Sequence, residues 1–274
     1  MKTLDAALNI LKLFLAEQHT FSVGEVAAAT HMQKSKVSRL LAVYKAHGVL
    51  DQDPVTRRYR VGLSAFELGS QYVKSHPIAH EALPIMREVV DACGHSTTLT
   101  VMHGDIVLHL MAVEGPLYTE GRWRVGNRLP FHATSAGKVL VAGLDAAELD
   151  AFVASHALTA ITPQTVTNSA VLKRQLIKVR RTGSCISRGE SAPGLAAIAV
   201  PVFGRQGETI AALGLVIPDH LFEAGKAASW TELLHRGARR LSMRLGASAY
   251  PFGGGPEEKA TTRKKTASRA HAAA

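Results

Sequence analysis

Between Ser22 and Arg60 the chain reads helix, break, helix, turn-rich ribbon, and that order constrains its fold more than any other feature. Ser22 and Glu25 stand at capping-box spacing ahead of Val23, Val26 and Ala27, which form the inner face of a helix. Thr30-His31-Met32 interrupts it. From Gln33 the pattern resumes, with Val37, Leu40, Leu41 and Tyr44 on one side and Lys34, Ser35, Lys36, Ser38 and Arg39 on the other. His47-Gly48 ends this helix, glycine supplying the left-handed stop. Val49-Leu50 and Tyr59-Arg60-Val61 flank a turn at Pro54 and predict a short hairpin. These parts make a winged helix-turn-helix, a unit that lays one helix in the major groove of double-stranded DNA and clamps the flanking phosphates.

The residues suited to that contact follow from the pattern. Gln33, Lys34, Ser35, Lys36, Ser38 and Arg39 cluster at the start of the second helix, where free N–H groups and the helix dipole favour a phosphate or a base edge. Arg39 or Lys36 suits guanine and Gln33 suits adenine. Arg57, Arg58 and Arg60 cluster at the wing. Alternation along a strand puts Arg58 and Arg60 on one side and Tyr59 on the other, so Tyr59 is expected to pack beneath the wing and Arg58 to meet the minor groove or a phosphate.

The remaining chain is long enough for a second domain. Of its 274 residues 46% are apolar, and the formal charge is +10, densest toward the two ends. Two distant cysteines, Cys93 and Cys185, exclude a disulfide scaffold or a zinc ribbon. Met1–Leu15 is amphipathic rather than a continuous apolar leader, and no run approaches the ~18 apolar residues of a membrane span, so the cytoplasm is the expected location. Leu4, Leu8, Leu11 and Leu15 predict a first helix with one buried stripe, N-capped by Thr3. Ser64 and Glu67 start a linker helix that Pro77 ends. Beyond it lie a helix over 81–93, a hairpin of Ser96–His103 and Ile106–Ala112 turning at Gly104-Asp105, and helices at Ser135–Gly143, after Asp145, and at Asn168–Arg181. Two β runs, Ala196–Phe203 and Thr209–Ile217, precede a closing helix over 227–246. The fold class is α+β: a central, mostly antiparallel sheet with helices packed on it. The boundaries expected are 1–63 for the DNA-binding domain, 64–78 for the linker helix, 79–250 for the second domain and 251–274 for a disordered basic tail.

Taken together these motifs resemble the IclR family of bacterial transcriptional regulators over roughly residues 4–248. The resemblance rests on Ala6-Leu8-Ile10-Leu11, on Lys34-Ser35 with Val37 and Arg39-Leu40-Leu41, and on Asp53-Pro54 with Arg58-Tyr59-Arg60-Val61-Gly62. Further on it rests on Leu129–Lys138, Glu190, Gly194-Leu195 and Ile198–Phe203. It implies a GAF-like effector-binding domain, dimers or tetramers on palindromic operators, control by a small organic molecule, and more often repression than activation. His31 and Gln33 stand where the family usually has Gly and Pro, and Lys36 and Ser38 where Thr and His are common.

By the same resemblance the effector pocket maps onto Leu129, Ser135, Ala136, Ser187, Leu195, Ala197, Gly214 and Val216. Ser187 occupies an acidic position of the family, and Gly214 and Val216 two hydroxyl positions. A roomier, less polar pocket favours a larger acid, aromatic in character, over glyoxylate or pyruvate. Thr134–Lys138 lacks the earlier glycine and the following Ser/Thr of a phosphate loop, but its small side chains suit a carboxylate at a helix start. Ser96, Thr97, Thr98 and Thr100 begin a strand of which either the even or the odd set could face ligand. Cys93, His95, His103 and His109 have no metal-ligand spacing, so neither metal nor cofactor is expected. No GxSxG or HExxH motif is present, and Glu190 reads as structural rather than catalytic. The rivals are a sequence-independent DNA-binding protein and an enzyme domain fused to a DNA-binding module.

Overall fold

The protein is described here from a computed structural model, in which residues 2–16, 18–117 and 125–253 are described. The chain divides into two compact units, Met1–His76 and Pro77–Ala274. The expected tail lies almost wholly outside the described residues.

In the first unit, α1 (Lys2–Leu13), α2 (Val23–Thr30) and α3 (Lys34–Ala46) precede a hairpin of β1 (Leu50–Gln52) and β2 (Tyr59–Val61), and α4 (Leu63–Ser75) follows. Ile10, Phe14, Phe21, Val26, Val37, Leu41, Leu50 and Tyr59 form the core. This corrects the expectation for α1. Leu4, Leu8 and Leu15 are 64%, 48% and 60% exposed, and only Leu11 of that stripe packs inward. The buried pair is Ile10 and Phe14, one turn apart, because the Phe14 ring meets Phe21 edge-on at 5.0 Å and fixes which side of the helix turns inward. Nor does Thr3 cap α1, which already begins at Lys2.

The break between α2 and α3 is built as a left-handed turn. His31 sits at φ 54°, ψ 32°, and its N–H closes on the carbonyls of Ala27 and Ala28. Residues other than glycine rarely adopt that conformation. Gly48, at φ 66°, ends α3 as expected. α4 begins one residue early, with Gly62 rather than Ser64 in the cap position, and position 62 must be glycine because a Cβ there would lie 2.2 Å from the Gly48 carbonyl oxygen. It ends at Ser75, and Pro77 opens the next helix at the position where its missing N–H costs nothing. The helix predicted over 81–93 therefore starts at residue 77.

The second unit runs α5 (Pro77–Cys93), β3 (Ser96–His103), β4 (Ile106–Val113), β5 (Arg128–Leu129), α6 (Ser135–Ala142), α7 (Ala146–Ser155), α8 (Ser169–Thr182), β6 (Cys185–Arg188), β7 (Leu195–Phe203), β8 (Thr209–Pro218) and α9 (Ala227–Arg244). Six antiparallel strands lie in the order β5-β4-β3-β8-β7-β6. Each face carries its own core. Leu99, Ile198, Val200, Leu213, Leu215 and Ile217 meet α5 and α9. Val107, Ala199, Ala212 and Cys185 meet α6, α7 and α8. This is the α+β architecture expected from the sequence.

Candidate DNA interface and ligand site

α3 carries its polar residues on one exposed side. Gln33 is its N-cap but makes no side-chain capping bond, so its amide is unspent. Lys34, Ser35, Ser38 and Arg39 are exposed and Lys36 half-buried. Arg39 Nε makes only a long 3.4 Å contact with the Ser35 carbonyl. The opposite side is held by Val37 and Leu41, both fully buried, so packing fixes which residues face outward.

At the wing, Asp53 Oδ1 accepts from Val55 N, Thr56 N and Thr56 Oγ1. These bonds, those of Thr56 first, lower the Asp53 pKa. Arg57 at the tip is exposed and has φ 58°. Arg60 also points outward, and Tyr59 is buried beneath the wing. Arg58 does not share the outward direction of Arg60. Its Nε donates to Thr20 Oγ1 at 2.9 Å and its Nη2 to Glu25 Oε2 at 2.7 Å. Arg58 precedes the paired strand, so the ribbon's alternation does not govern it, and the carboxylate at the α2 N-terminus captures its guanidinium. The Ser22 N–H and then Arg58 draw the Glu25 pKa down to about 2.

In the second unit the sequence-predicted pocket residues come together. Ser187, Ala197 and Val216 lie in one row across β6, β7 and β8, and Ser96 of β3 completes it. The next row on the same side is Cys185, Ala199, Gly214 and Thr98. Leu195 belongs to this side by alternation, and Leu129, paired with Val107, packs on the same core. Ser135 and Ala136 begin α6, which covers it, and both are buried. The even-numbered set Ser96, Thr98 and Thr100 therefore faces the α6 side, and Thr97 faces the other, where its hydroxyl has no partner.

The hydroxyls on this face divide into spent and unspent. Ser96 Oγ accepts from Gly115 N, and Thr100 Oγ1 meets His109 Nδ1 at 3.0 Å. Burial holds the His109 pKa down near 4, so the ring is neutral. Thr134 caps α6 by accepting from Gly137 N and donating to the Pro130 carbonyl. Ser135, Ser187 and Thr98 are 3%, 6% and 2% exposed, yet among the described residues their hydroxyls have no protein partner. Because the Lys138 and Gly137 N–H groups close on Thr134, the N–H groups of Ser135 and Ala136 stand at the open end of the helix.

Sequence reasoning missed the element that fixes this end of α6. Lys138 is 1% exposed, and its Nζ donates to both oxygens of Glu190, at 2.8 and 2.6 Å. The Glu190 carbonyl accepts from Thr165 Oγ1, and Gly189 O from Thr162 Oγ1. The loop joining Ser187 to Leu195 is thereby tied to the helix that begins at Ser135. Both members of the pair were visible as motif residues, but their separation of 52 positions carried no signal. Among the described residues no three His, Cys, Asp or Glu side chains converge on a metal site.

A winged helix-turn-helix followed by an α+β domain with a buried, partly polar sheet face under α6 is the layout of a DNA-binding transcriptional regulator. The model of the IclR helix-turn-helix domain matches residues 3–54, and that of the bacterial transcriptional regulator IclR C-terminal domain matches residues 70–243. The chain belongs to the IclR family. It is 31% identical over 251 residues to the HTH-type transcriptional regulator XynR of Escherichia coli (strain K12), covering 92% of this chain and 98% of that one. It is 28% identical to the HTH-type transcriptional repressor AllR of Klebsiella pneumoniae, covering 89% and 90% of the two chains. An IclR homolog from Microbacterium hydrocarbonoxydans, solved in complex with 4-hydroxybenzoate, shares the fold with a TM-score of 0.76 at 24% identity, over 89% of this chain and 98% of that one. These relatives are regulators or share a regulator's fold.

Proposed function

We propose that this regulator reads its operator through Gln33, Lys34, Ser35, Lys36, Ser38 and Arg39, with Arg57 and Arg60 on the flanking phosphates. Arg58 acts indirectly, by holding the wing against the start of α2. The effector is a small aromatic acid bound between the α6 N-terminus and the sheet. Its carboxylate meets the N–H groups of Ser135 and Ala136, and its ring lies against Leu129, Leu195, Ala197, Gly214 and Val216. One observation carries this reading: three hydroxyls, on the buried residues Ser135, Ser187 and Thr98, lie on the α6 side of the sheet, and among the described residues they have no protein partner. A ligand that seals this face from water must pair these hydroxyls, since each one buried and left unpaired would cost about 1–3 kcal/mol. The 4-hydroxybenzoate complex indicates that this fold accommodates such an acid.

Homo-oligomerisation on a palindromic operator belongs to the same reading. α4 buries none of its residues within the chain, and Leu63, Phe66 and Leu68 are 68–77% exposed. With Leu4 and Leu8 of α1 they offer apolar surface to a second copy. The proposed location is the cytoplasm, supported by two free cysteines and by the lack, among the described residues, of a helix long and apolar enough to cross a membrane.

Titration calorimetry with 4-hydroxybenzoate, benzoate, glyoxylate and pyruvate tests the site. The aromatic acids should bind more tightly than the short ones, and Ser135→Ala with Ser187→Ala should weaken them roughly tenfold, the equivalent of one lost hydrogen bond of about 1.4 kcal/mol. Equal binding by the wild type and this variant would place the acid elsewhere.

A further inference from the structure

α8 carries five cations, Lys173, Arg174, Lys178, Arg180 and Arg181, and no acidic residue. Its inner side is accounted for by Leu172, Leu176 and Val179, which are buried. Two of the cations are spent within the domain: Lys173 Nζ pairs with Asp150 at 2.7 Å, and Arg180 donates to the carbonyls of Ala142 and Leu144. The other three, Arg174, Lys178 and Arg181, fall at i, i+4 and i+7 on one exposed side. Among the described residues none of the three has a carboxylate partner. Elsewhere in the unit Arg87, Arg128, Arg205 and Arg236 also lack a carboxylate partner among the described residues, but they are scattered over different elements, and other cations are paired. Arg188 pairs with Asp219, Lys226 with Glu223, Arg240 with Glu88 and Arg244 with Glu81. The favourable dipole at a helix C-terminus accounts for Arg180 and Arg181 but not for Arg174 or Lys178, which lie before the last turn.

We propose that the outer side of α8 is a second, sequence-independent contact for the phosphate backbone of duplex DNA outside the operator. Its charge is single-signed over a rise of roughly 10 Å, a length along which a duplex presents several phosphates. A two-fold contact of this face with its own copy is disfavoured, because two such stripes would repel. An acidic protein would find one apolar anchor, Ile177, at 65% exposure. Protein interfaces are built around clusters of buried anchors, and a lone one between cations fits a phosphate track better.

The test is the salt dependence of full-chain binding to a random-sequence duplex of about 60 base pairs. Four proteins are compared: wild type, Arg174→Ala/Lys178→Ala/Arg181→Ala, Arg188→Ala/Arg240→Ala/Arg244→Ala, and Lys34→Ala/Lys36→Ala/Arg39→Ala. The second triple removes the same formal charge from paired positions. The α8 triple should lower the slope of log K against log salt by about 2.7, near 0.9 per contact, while the paired-position triple changes it by less than about 0.5. An α8 slope change no larger than that of the paired-position triple overturns the proposal. So does loss of regulation in cells with an unchanged slope, which would assign the face to an acidic protein. The α3 variant separates the readings: a failure of that variant alone to weaken binding counts against α3 and leaves the α8 result standing.

Discussion

Replacing Lys138 by Met should be among the most destabilising single changes in the second unit. Methionine matches the aliphatic stem and keeps α6 helical, so neither volume nor propensity is the issue. What is lost is the ammonium that binds both oxygens of Glu190 at 2.8 and 2.6 Å, from a position 1% exposed. Glu190 is then left as a carboxylate with 11% of its side chain exposed. Removing one partner of such a pair costs about 3–5 kcal/mol, whereas removing both is often close to neutral because the desolvation penalty disappears with the charges. Lys138→Met/Glu190→Leu should therefore recover most of the loss, to within about 1–2 kcal/mol of wild type. Urea unfolding of the full chain at pH 7, followed by circular dichroism with the two units resolved as separate transitions, gives both numbers. A single-variant loss below about 1 kcal/mol, or a double variant no better than the single, would refute the reasoning.

Three further outcomes follow from other positions. Gly183→Ala forces a side chain into the left-handed region at φ 69°, with its Cβ 2.2 Å from the Phe252 ring, and should cost about 2 kcal/mol or more. A Phe252→Ala background should relieve the clash but not the backbone strain, and equal losses in both backgrounds would contradict this. Thr97→Val keeps the shape while deleting a fully buried hydroxyl that has no partner, and should raise stability by about 1 kcal/mol, read as a higher urea midpoint. A lowered midpoint would show that the hydroxyl is satisfied. His109 and His235 are both held near pKa 4, chiefly by burial, below the ordinary value of 6.5. The unfolded chain binds those protons more tightly, so stability is full above pH 6.5 and falls as pH drops toward 4, by up to about 3 kcal/mol per histidine. Urea stability that stays flat from pH 7 to 4.5 would contradict that assignment.

The winged helix-turn-helix was legible because its signals are local. A capping box at Ser22 and Glu25, a glycine stop at Gly48 and a proline turn at Pro54 each act within a few residues, and all three appear where the pattern put them. α1 misled because leucines at helical spacing do not say which of two adjacent faces is covered, and contact with Phe21 decides it. The direction of Arg58 was not legible for a similar reason, its partner Glu25 lying 33 positions earlier. In the second unit alternation placed the β runs, and the family resemblance singled out six strand residues that the register brings to one face, with Ser135 and Ala136 on the helix that covers it. The α6 latch, the orientation of Thr98 and the unspent hydroxyls depend on pairing between distant strands, which composition and periodicity do not encode.

The central claim is that a small acid, bound under α6, controls how α3 holds DNA. Footprinting of the protein on the intergenic DNA beside its own gene, at ~150 mM salt where nonspecific contacts are weak, addresses it directly when run with and without a panel of aromatic and aliphatic acids. The account predicts a discrete, two-fold symmetric footprint that an aromatic acid shifts and glyoxylate does not. Protection without sequence preference, unmoved by any acid in the panel, would contradict it.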